Sequence, residues 1–458
     1  MNFAFYDLET TGISPAFDHP IQFAAIRTDA EFKEIERVNL RCRLAPHIIP
    51  SPQALAVTGL RPAQLLDPAL LNYFEFTQSL AELVKRWSPA IWTGFNSIRF
   101  DEEMLRQAFY QNLQPDIFVT QFNGNTRFDI MTAVYAVWCR RTDLFEWPVD
   151  EAGKVRFNLD RLAPLNDFEG HNAHDALGDV EATIFIARKI ADQDPDLWAE
   201  LLSNRNKTHV QSLLESFEPL ELVGRFGGGP PQATVGCLCG YSSSNPNQAF
   251  FFDLDAADPS KLITAGEERL AVQLEATPRI IRSVSINKSP ALLTAHAATE
   301  EQSRRARLIA DAPEFRERLA RVMATRYRQV SDKALLPVEK RIFSGFYNWS
   351  DKALLKEFQD ADWRHRQEIV SSFEDARLRQ LGHRLIAFYA NGLLSEGERR
   401  KYETWLQERW DAPDQPETEW MTLDKASKAI EEMRVEASHD GAMLDDIERL
   451  LADRMGAR

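Results

Sequence analysis

Nowhere in its 458 residues does the chain hold an unbroken apolar run of the ~18 residues that a membrane-spanning helix requires. The N-terminus enters a strand-like pattern at once, without the basic segment, apolar stretch and cleavage site of a secretory leader. A cytoplasmic protein that makes no use of a membrane is expected. Cysteine is scarce as well: Cys42, Cys139, Cys237 and Cys239 are too few and too scattered for a secreted disulfide framework, so free thiols are expected. Cys237-x-Cys239 lacks the second ligand pair of a structural zinc site and reads as the core of a β-rich region. Internal repeats and low-complexity segments are missing, which excludes solenoids and fibrous architectures. What remains is a globular composition, 44% hydrophobic and 27% charged, over about three times the length of a typical ~150-residue domain. Two or three domains follow.

Positive charge is also in short supply, with a formal net charge of −15. Taken alone, that argues against a polyanionic partner, which normally requires a basic stripe. The charge is uneven, however. Residues 279–341 carry fourteen Lys and Arg against seven Asp and Glu, a local excess of seven positive charges. Arg304, Arg305, Arg307, Arg316, Arg318 and Arg321 fall in a helical pattern, so these cations form either a solvated helix face or one wall of a nucleic-acid groove.

Residues 2–9 alternate with Phe3 and Phe5 on one face and stop at Thr10-Thr11-Gly12, the pattern of a strand ending in a turn. Further strand-like runs at 21–26, 38–44 and 90–95 alternate with helical patterns at 76–87, 102–110, 129–139 and 176–190. Residues 1–190 therefore read as an α/β domain with a mixed sheet. A helical stretch at 195–216 leads to the loop signal Gly224-Arg225-Phe226-Gly227-Gly228-Gly229-Pro230-Pro231 and to β-like runs at 234–238, 249–254 and 280–286. Residues 191–335 thus form a small β-rich domain. The pattern is helical from Pro313 onward, with Leu354, Leu355, Phe358 and then Leu378, Leu381, Leu385 at helical spacing, so residues 336–458 make an all-α domain. Its last stretch, 411–458, holds thirteen acidic and six basic residues and reads as a solvated acidic face.

The chemistry is concentrated in the first domain. Asp7 and Glu9 lie two apart on a strand, so both carboxylates point to one face near the strand's end. Carboxylates held that close call for a cation, although acidic pairs also occur on solvated faces. Asp101 follows a predicted strand directly and opens a helix, where it could equally serve as a cap. In His171-Asn172-Ala173-His174-Asp175-Ala176-Leu177-Gly178-Asp179, His174 and Asp179 are five apart at the entry of the next helix, close to one and a half turns.

The order Asp-x-Glu, Asp, then His followed five residues later by Asp resembles the DEDDh 3′→5′ exonucleases of the ribonuclease H-like fold. Within them, Asp7-Leu8-Glu9-Thr10, Gln22 to Asp29, Phe95 to Asp101, Asn172 to Ala176, Arg205-Asn206-Lys207, Ile286 to Pro290 and Ser344 to Tyr347 are similar to bacterial exonuclease I. The resemblance is nearly full-length. It implies a nuclease domain, a small β-barrel domain and a C-terminal helical domain around a positively charged groove for one DNA strand. It also implies a single-strand-specific exodeoxyribonuclease of DNA repair and recombination that releases 5′-mononucleotides, with single-stranded DNA and a single-strand-binding protein as partners. Asp7, Glu9, Asp101 and Asp179 would hold two Mg²⁺ ions, with Mn²⁺ as a substitute, because a hard cation prefers an all-oxygen cage. His174 would take the proton of the attacking water. Glu9, Asn96, Phe100, Asn158, Lys207, Arg282 and Lys288 are the expected DNA contacts. Asn158 departs from the pattern, since a basic residue is expected there, and Arg156 is the nearest substitute. A monomer is the simplest arrangement for such a groove. An RNA-trimming nuclease with the same site type and a nucleic-acid-binding scaffold with a dead centre are the alternatives; the intact set of five residues argues against the scaffold. The C-terminal third could in addition serve as a helical interaction surface.

Overall fold

The computed structural model describes residues 1–169, 175–275, 277, 279–326, 336–436 and 440–456. Strands β1 (Phe3–Thr10), β2 (Pro20–Thr28) and β3 (Glu34–Arg41) form an antiparallel meander, and β4 (Ile91–Gly94) and β5 (Thr126–Asp129) add parallel to β1, giving the order β3-β2-β1-β4-β5. This is the expected mixed sheet. Alternation along β1 sorts its side chains between two cores. Ala4, Tyr6 and Leu8 pack toward the helices Tyr73–Trp87 and Asp101–Gln111, while Phe3 and Phe5 pack toward Ile130–Arg140 and Ala176–Gln193. Asp7 and Glu9 continue the Phe3/Phe5 face, beyond the end of that apolar core. Gly94 ends β4 where a side chain has no room: a Cβ there would lie 2.5 Å from the carbonyl oxygen of Tyr6.

A second sheet follows, built from β6 (Leu220–Gly224), β7 (Gln232–Tyr241), β8 (Gln248–Asp253), β9 (Ile281–Ser285) and β10 (Leu292–Thr294) in the order β10-β6-β7-β8-β9, all antiparallel. Among the described residues no ladder joins β9 to β10, so closure into the expected barrel is not seen in the strand pairing. Closure is not needed to bury the sheet. Phe250 and Phe252 pack with Cys237 and Cys239 under the helices Glu267–Glu275, Glu300–Ala310 and Pro313–Arg326, whereas Phe251 and Leu238 pack on the other face with Val210 and Leu214 of Lys207–Glu215. Both faces are thus covered by helices. Cys237 and Cys239 are buried free thiols in this core, as are Cys42 and Cys139 free elsewhere.

The helical stretch expected over 195–216 is two helices, Pro195–Ser203 and Lys207–Glu215, because the Asn206 side chain accepts the N–H groups of Thr208 and His209 and starts a new helix. In the last third, the helices Trp349–Asp360, Trp363–Ser372 and Ala376–Tyr389 bury Leu355, Phe358, Ile369 and Leu381 against Phe74, Tyr110 and Leu113 of the first domain's helical layer. Leu423–Glu436 and Gly441–Gly456 bury Leu423, Ile430, Leu444 and Ile447 against Leu55 and Leu60, and their acidic faces meet Arg61, which pairs with Asp440 at 2.9 Å and Asp446 at 2.7 Å. Among the described residues no helix is long and apolar enough to cross a membrane.

Candidate active site

The first turn of Ala176–Gln193 lies over the C-terminal end of β1 and brings Asp179 to Asp7 and Glu9. One carboxylate oxygen from each falls within 4.8 Å of the other two. The helix start is fastened to the sheet by Gln22, the β2 residue opposite Glu9, whose amide donates to Asp175 Oδ1 at 2.9 Å and to Asn39 Oδ1 at 3.0 Å. Crowding and burial penalise the ionised forms. Burial and then the Asp179 charge push the Asp7 carboxyl up to about 8, and burial followed by Asp7, Asp179 and Asp175 pushes Glu9 to about 9. Three repelling carboxylates with a shared focus fit a hard divalent cation, which would supply the charge that the site lacks.

Asp101 stands at the edge of this group. Strand β4 ends at Gly94, so the N–H of Leu8 has no ladder partner on that side, and Asp101 Oδ1 accepts it at 3.0 Å. Asp101 is the first residue of its helix and Phe100 the cap, so a capping role does not account for this carboxylate. Burial and the neighbouring Asp7 raise its pKa well above the usual carboxylate range. The adjoining Glu102, 3% exposed, accepts hydrogen bonds from Thr120 at 2.7 Å, Gln121 at 3.0 Å and Arg106 at 3.2 Å, which pins the helix start to the segment before β5.

Asn96 is held by its backbone. Its φ of 64° lies in the left-handed region that Asn tolerates better than most residues. Its N–H donates to Asp129 Oδ1 at 2.9 Å, and that of Ile98 donates to Oδ2 at 3.1 Å. Asp129 also caps Ile130–Arg140 by accepting the Met131 N–H at 3.0 Å. Burial raises its pKa to about 6 despite these donors. The loop between β4 and Asp101 is therefore clamped from below by one carboxylate.

A cavity of about 340 Å³ opens on this group, with Asp7, Asn96, Tyr135, Asn158, Asp179 and Arg225 among its lining residues. Beside it a second cavity of about 570 Å³ is lined by Leu8, Glu9, Phe100 and, from the helical third of the chain, Trp420 and Met421. His174, the expected base, lies outside the described residues.

Residues 4–187 match the exonuclease family, and residues 336–452 match the exonuclease I C-terminal domain. The chain belongs to the exonuclease I family. Exodeoxyribonuclease I of Haemophilus influenzae is 29% identical over 433 residues, 89% of this chain and 90% of that protein. The zinc-bound form of the Escherichia coli exonuclease I complex with ssDNA superposes with a TM-score of 0.82 at 26% identity, covering 99% of each chain. A crystal structure of SSB/exonuclease I in complex with an inhibitor does so with a TM-score of 0.83 at 27% identity, again over 99% of each chain. Dependence on a divalent metal accords with this family and with the carboxylate cluster.

The expected contact residues are distributed over several cavities. Asn96 and Asn158 line the one that holds Asp7, and Phe100 lines its neighbour with Glu9. Lys207 lines a polar cavity of about 720 Å³ together with Arg127, Arg205, His209, Asn247 and Asn287, and its Nζ donates to Asn247 at 2.8 Å. Arg282 lines another of about 1010 Å³ with Phe226 and Arg279; it pairs with Asp253 at 3.4 Å and lies 4.0 Å from the centre of the Phe226 ring. Lys288 lines none of these and is exposed, pairing with Glu103 at 3.4 Å. Arg156, the expected substitute for Asn158, pairs with Asp150 at 2.6 Å.

Among the described residues, part of the positive charge over 279–341 is held in ion pairs and hydrogen bonds within the fold. Arg304 and Arg305 pair with Glu301, Arg321 with Glu267 and Lys340 with Glu419, while Arg316 and Arg318 donate to backbone carbonyls. The cations that line cavities are mostly others: Arg127, Arg205, Lys207 and Arg225. Sequence patterns single out neither Arg225 nor Asp129. A Gly-rich loop signals a turn without its destination, and the four-residue β5 that ends in Asp129 is too short to show a period.

Proposed function

We propose that this chain is a single-strand-specific 3′→5′ exodeoxyribonuclease that hydrolyses ssDNA to 5′-mononucleotides in DNA repair and recombination. The observation that carries this reading is the convergence of Asp7, Glu9 and Asp179 at the mouth of a cavity, in a chain of the exonuclease I family. Asp7, Glu9, Asp101 and Asp179 hold the metal, taken as two Mg²⁺ ions with Mn²⁺ able to replace them, because every donor is a hard oxygen. When bound, the ions stabilise charge on the attacking and leaving oxygens of the phosphodiester. Asp101, tied to Leu8, sets the strand end against its helix, and Gln22 sets Asp179 through Asp175. His174 is assigned the proton of the attacking water on the sequence pattern alone. Asn96, Phe100, Asn158, Lys207, Arg282 and Lys288 are proposed DNA contacts, with Glu9 reaching the terminal nucleotide.

The proposed division is a nuclease domain over 1–190, a DNA-groove domain over 191–335 and a helical domain over 336–458, supported by the two family matches and by the sheet β6–β10 between them. One chain supplies every proposed site residue, which supports a monomer. Free buried thiols and the DNA substrate support a cytoplasmic setting. The SSB/exonuclease I structure supports a single-strand-binding protein as partner. The reading is tested by incubating the protein and Mg²⁺ with single-stranded DNA, blunt duplex and RNA of one sequence and identifying the products by chromatography. Release of 5′-mononucleotides from single-stranded DNA alone is expected. Equal attack on the duplex contradicts the strand specificity, and attack on RNA alone replaces the substrate.

A further inference from the structure

The cavity that holds Asp7 and Asp179 has a one-sided wall. Its described lining residues from the first domain are acidic, neutral or apolar: Asp7, Asp160 and Asp179 bring carboxyl groups, and Asn96 and Asn158 bring amides. Asn158 stands at the start of the helix Leu159–Leu165 without a capping hydrogen bond from its side chain. The cation in the lining is Arg225, which arrives from the second sheet on the loop after β6.

Its position is supported at the loop's base. Val223 belongs to the same apolar core as Phe5 and the helix Ile130–Arg140, and Glu221 pairs with Arg140 of that helix at 2.9 Å. Arg225 Nε donates to the carbonyl of Gly229 at 2.9 Å, which folds the loop on itself, and Gly227 takes a φ of +94° that a side chain would resist. The next residue points elsewhere, since the Phe226 ring lies against Gly224 and faces Arg282 in the neighbouring cavity. Inside the active-site cavity, burial raises the pKa of the Tyr135 hydroxyl and the adjoining Arg225 guanidinium draws it back. Among the described residues no carboxylate lies within salt-bridge distance of Arg225, so its fork is not neutralised as Arg156 is by Asp150. An arginine so placed, opposite a cluster of metal-binding carboxylates, suits bidentate contact with a phosphodiester.

We propose that Arg225 is the phosphate-binding cation of the active site, supplied by the second domain across the boundary to the nuclease domain. The proposal rests on the nuclease reading above. The second domain then completes the chemistry as well as guiding the strand: Arg225 would contact the scissile phosphate from one side, and Asp7, Glu9, Asp101 and Asp179 would hold the metal that supplies charge from the other.

The test compares wild type, Arg225→Ala, Arg225→Lys and the double variant Arg225→Ala/Asn158→Arg in steady-state hydrolysis of single-stranded DNA, with thermal melting of each. Arg225→Ala is expected to lower kcat/KM on the order of tenfold to a hundredfold, mostly through kcat, with unchanged melting. Arg225→Lys recovers part of the loss. Returning a guanidinium to the cavity from the opposite wall in the double variant recovers activity that a merely structural residue would not. The proposal is overturned if Arg225→Ala stays within twofold of wild type, or if its loss comes with lower melting and neither Lys nor the relocated Arg recovers it. A wild-type chain that leaves the DNA intact contradicts the nuclease reading instead, so the two failures are told apart.

Discussion

Asp101 Oδ1 accepts the backbone N–H of Leu8 at 3.0 Å, which fastens one acidic residue of the site to the strand between the two others, Asp7 and Glu9. A carboxylate in this position has two separable roles, as a hydrogen-bond acceptor and as a charge. Asp101→Asn keeps an oxygen for Leu8 and removes the charge. It is expected to fold normally and to lose hydrolysis by a hundredfold or more, on the order of what a lost metal ligand costs. Asp101→Ala removes the acceptor too and should be less stable than the Asn variant by about 1–3 kcal/mol, the cost of an unpaired buried N–H. Urea unfolding of the two proteins measures the difference; equal stabilities would mean that the bond to Leu8 contributes nothing.

Asp129 makes a second prediction. Its two oxygens accept the N–H groups of Asn96, Ile98 and Met131. Asp129→Asn presents an amine to one of these donors, so a loss of about 1–3 kcal/mol is expected. KM for single-stranded DNA should rise as Asn96 loosens. A variant with wild-type KM and stability would show that the loop holds its shape without the clamp.

The crowding of Asp7, Glu9 and Asp179 implies that the metal-free site works against the fold. In EDTA, Asp179→Asn should therefore be more stable than wild type, by an amount on the order of 1 kcal/mol. Adding Mg²⁺ should raise the melting temperature of wild type, because a ligand that binds the native state stabilises it, and should do little for the variant. Calorimetry with and without the ion decides; a wild-type melting temperature that ignores Mg²⁺ contradicts the cluster's assignment.

Acid sensitivity follows from His19, whose backbone pairs with Thr11 just past the end of β1. Its Nε2 lies 3.2 Å from the Ala45 N–H and its Nδ1 lies 2.7 Å from the Pro20 carbonyl, an arrangement that fits a neutral ring with the proton on Nδ1. Burial lowers its pKa from 6.5 to about 4. Between those values the unfolded chain takes up a proton that the folded chain refuses. This contribution to stability is therefore complete above pH 6.5 and declines as pH falls toward 4, by about 3 kcal/mol in all. His47, buried near Arg409 and Arg384, acts in the same direction. Denaturant unfolding from pH 7 to pH 4 should show the decline, and His19→Gln should flatten it.

Much of the site is legible along the chain because it rests on local periods. Alternation of Phe3, Phe5, Asp7 and Glu9 places both carboxylates on one face, and the helical pattern after Asp175 places Asp179 in its first turn. What eludes such reading is set by distant partners. Neutralisation of Arg304 and Arg305 by Glu301 is nearly local, but that of Arg321 by Glu267 and of Lys340 by Glu419 depends on packing. Arg225 is separated from Asp7 by the whole first domain, and nothing in Gly224 to Pro231 indicates where the loop points. The helices that pack on both faces of the second sheet are likewise not reported by a strand pattern.

The most direct measurement follows a 5′-labelled single-stranded DNA through time with wild type in Mg²⁺, wild type in EDTA, and Asp179→Asn in Mg²⁺. Stepwise shortening from the 3′ end is predicted for the first, and intact DNA for the other two. Shortening that survives chelation or the substitution, or DNA that wild type binds and leaves whole, would contradict a metal-dependent exonuclease built on Asp7, Glu9 and Asp179.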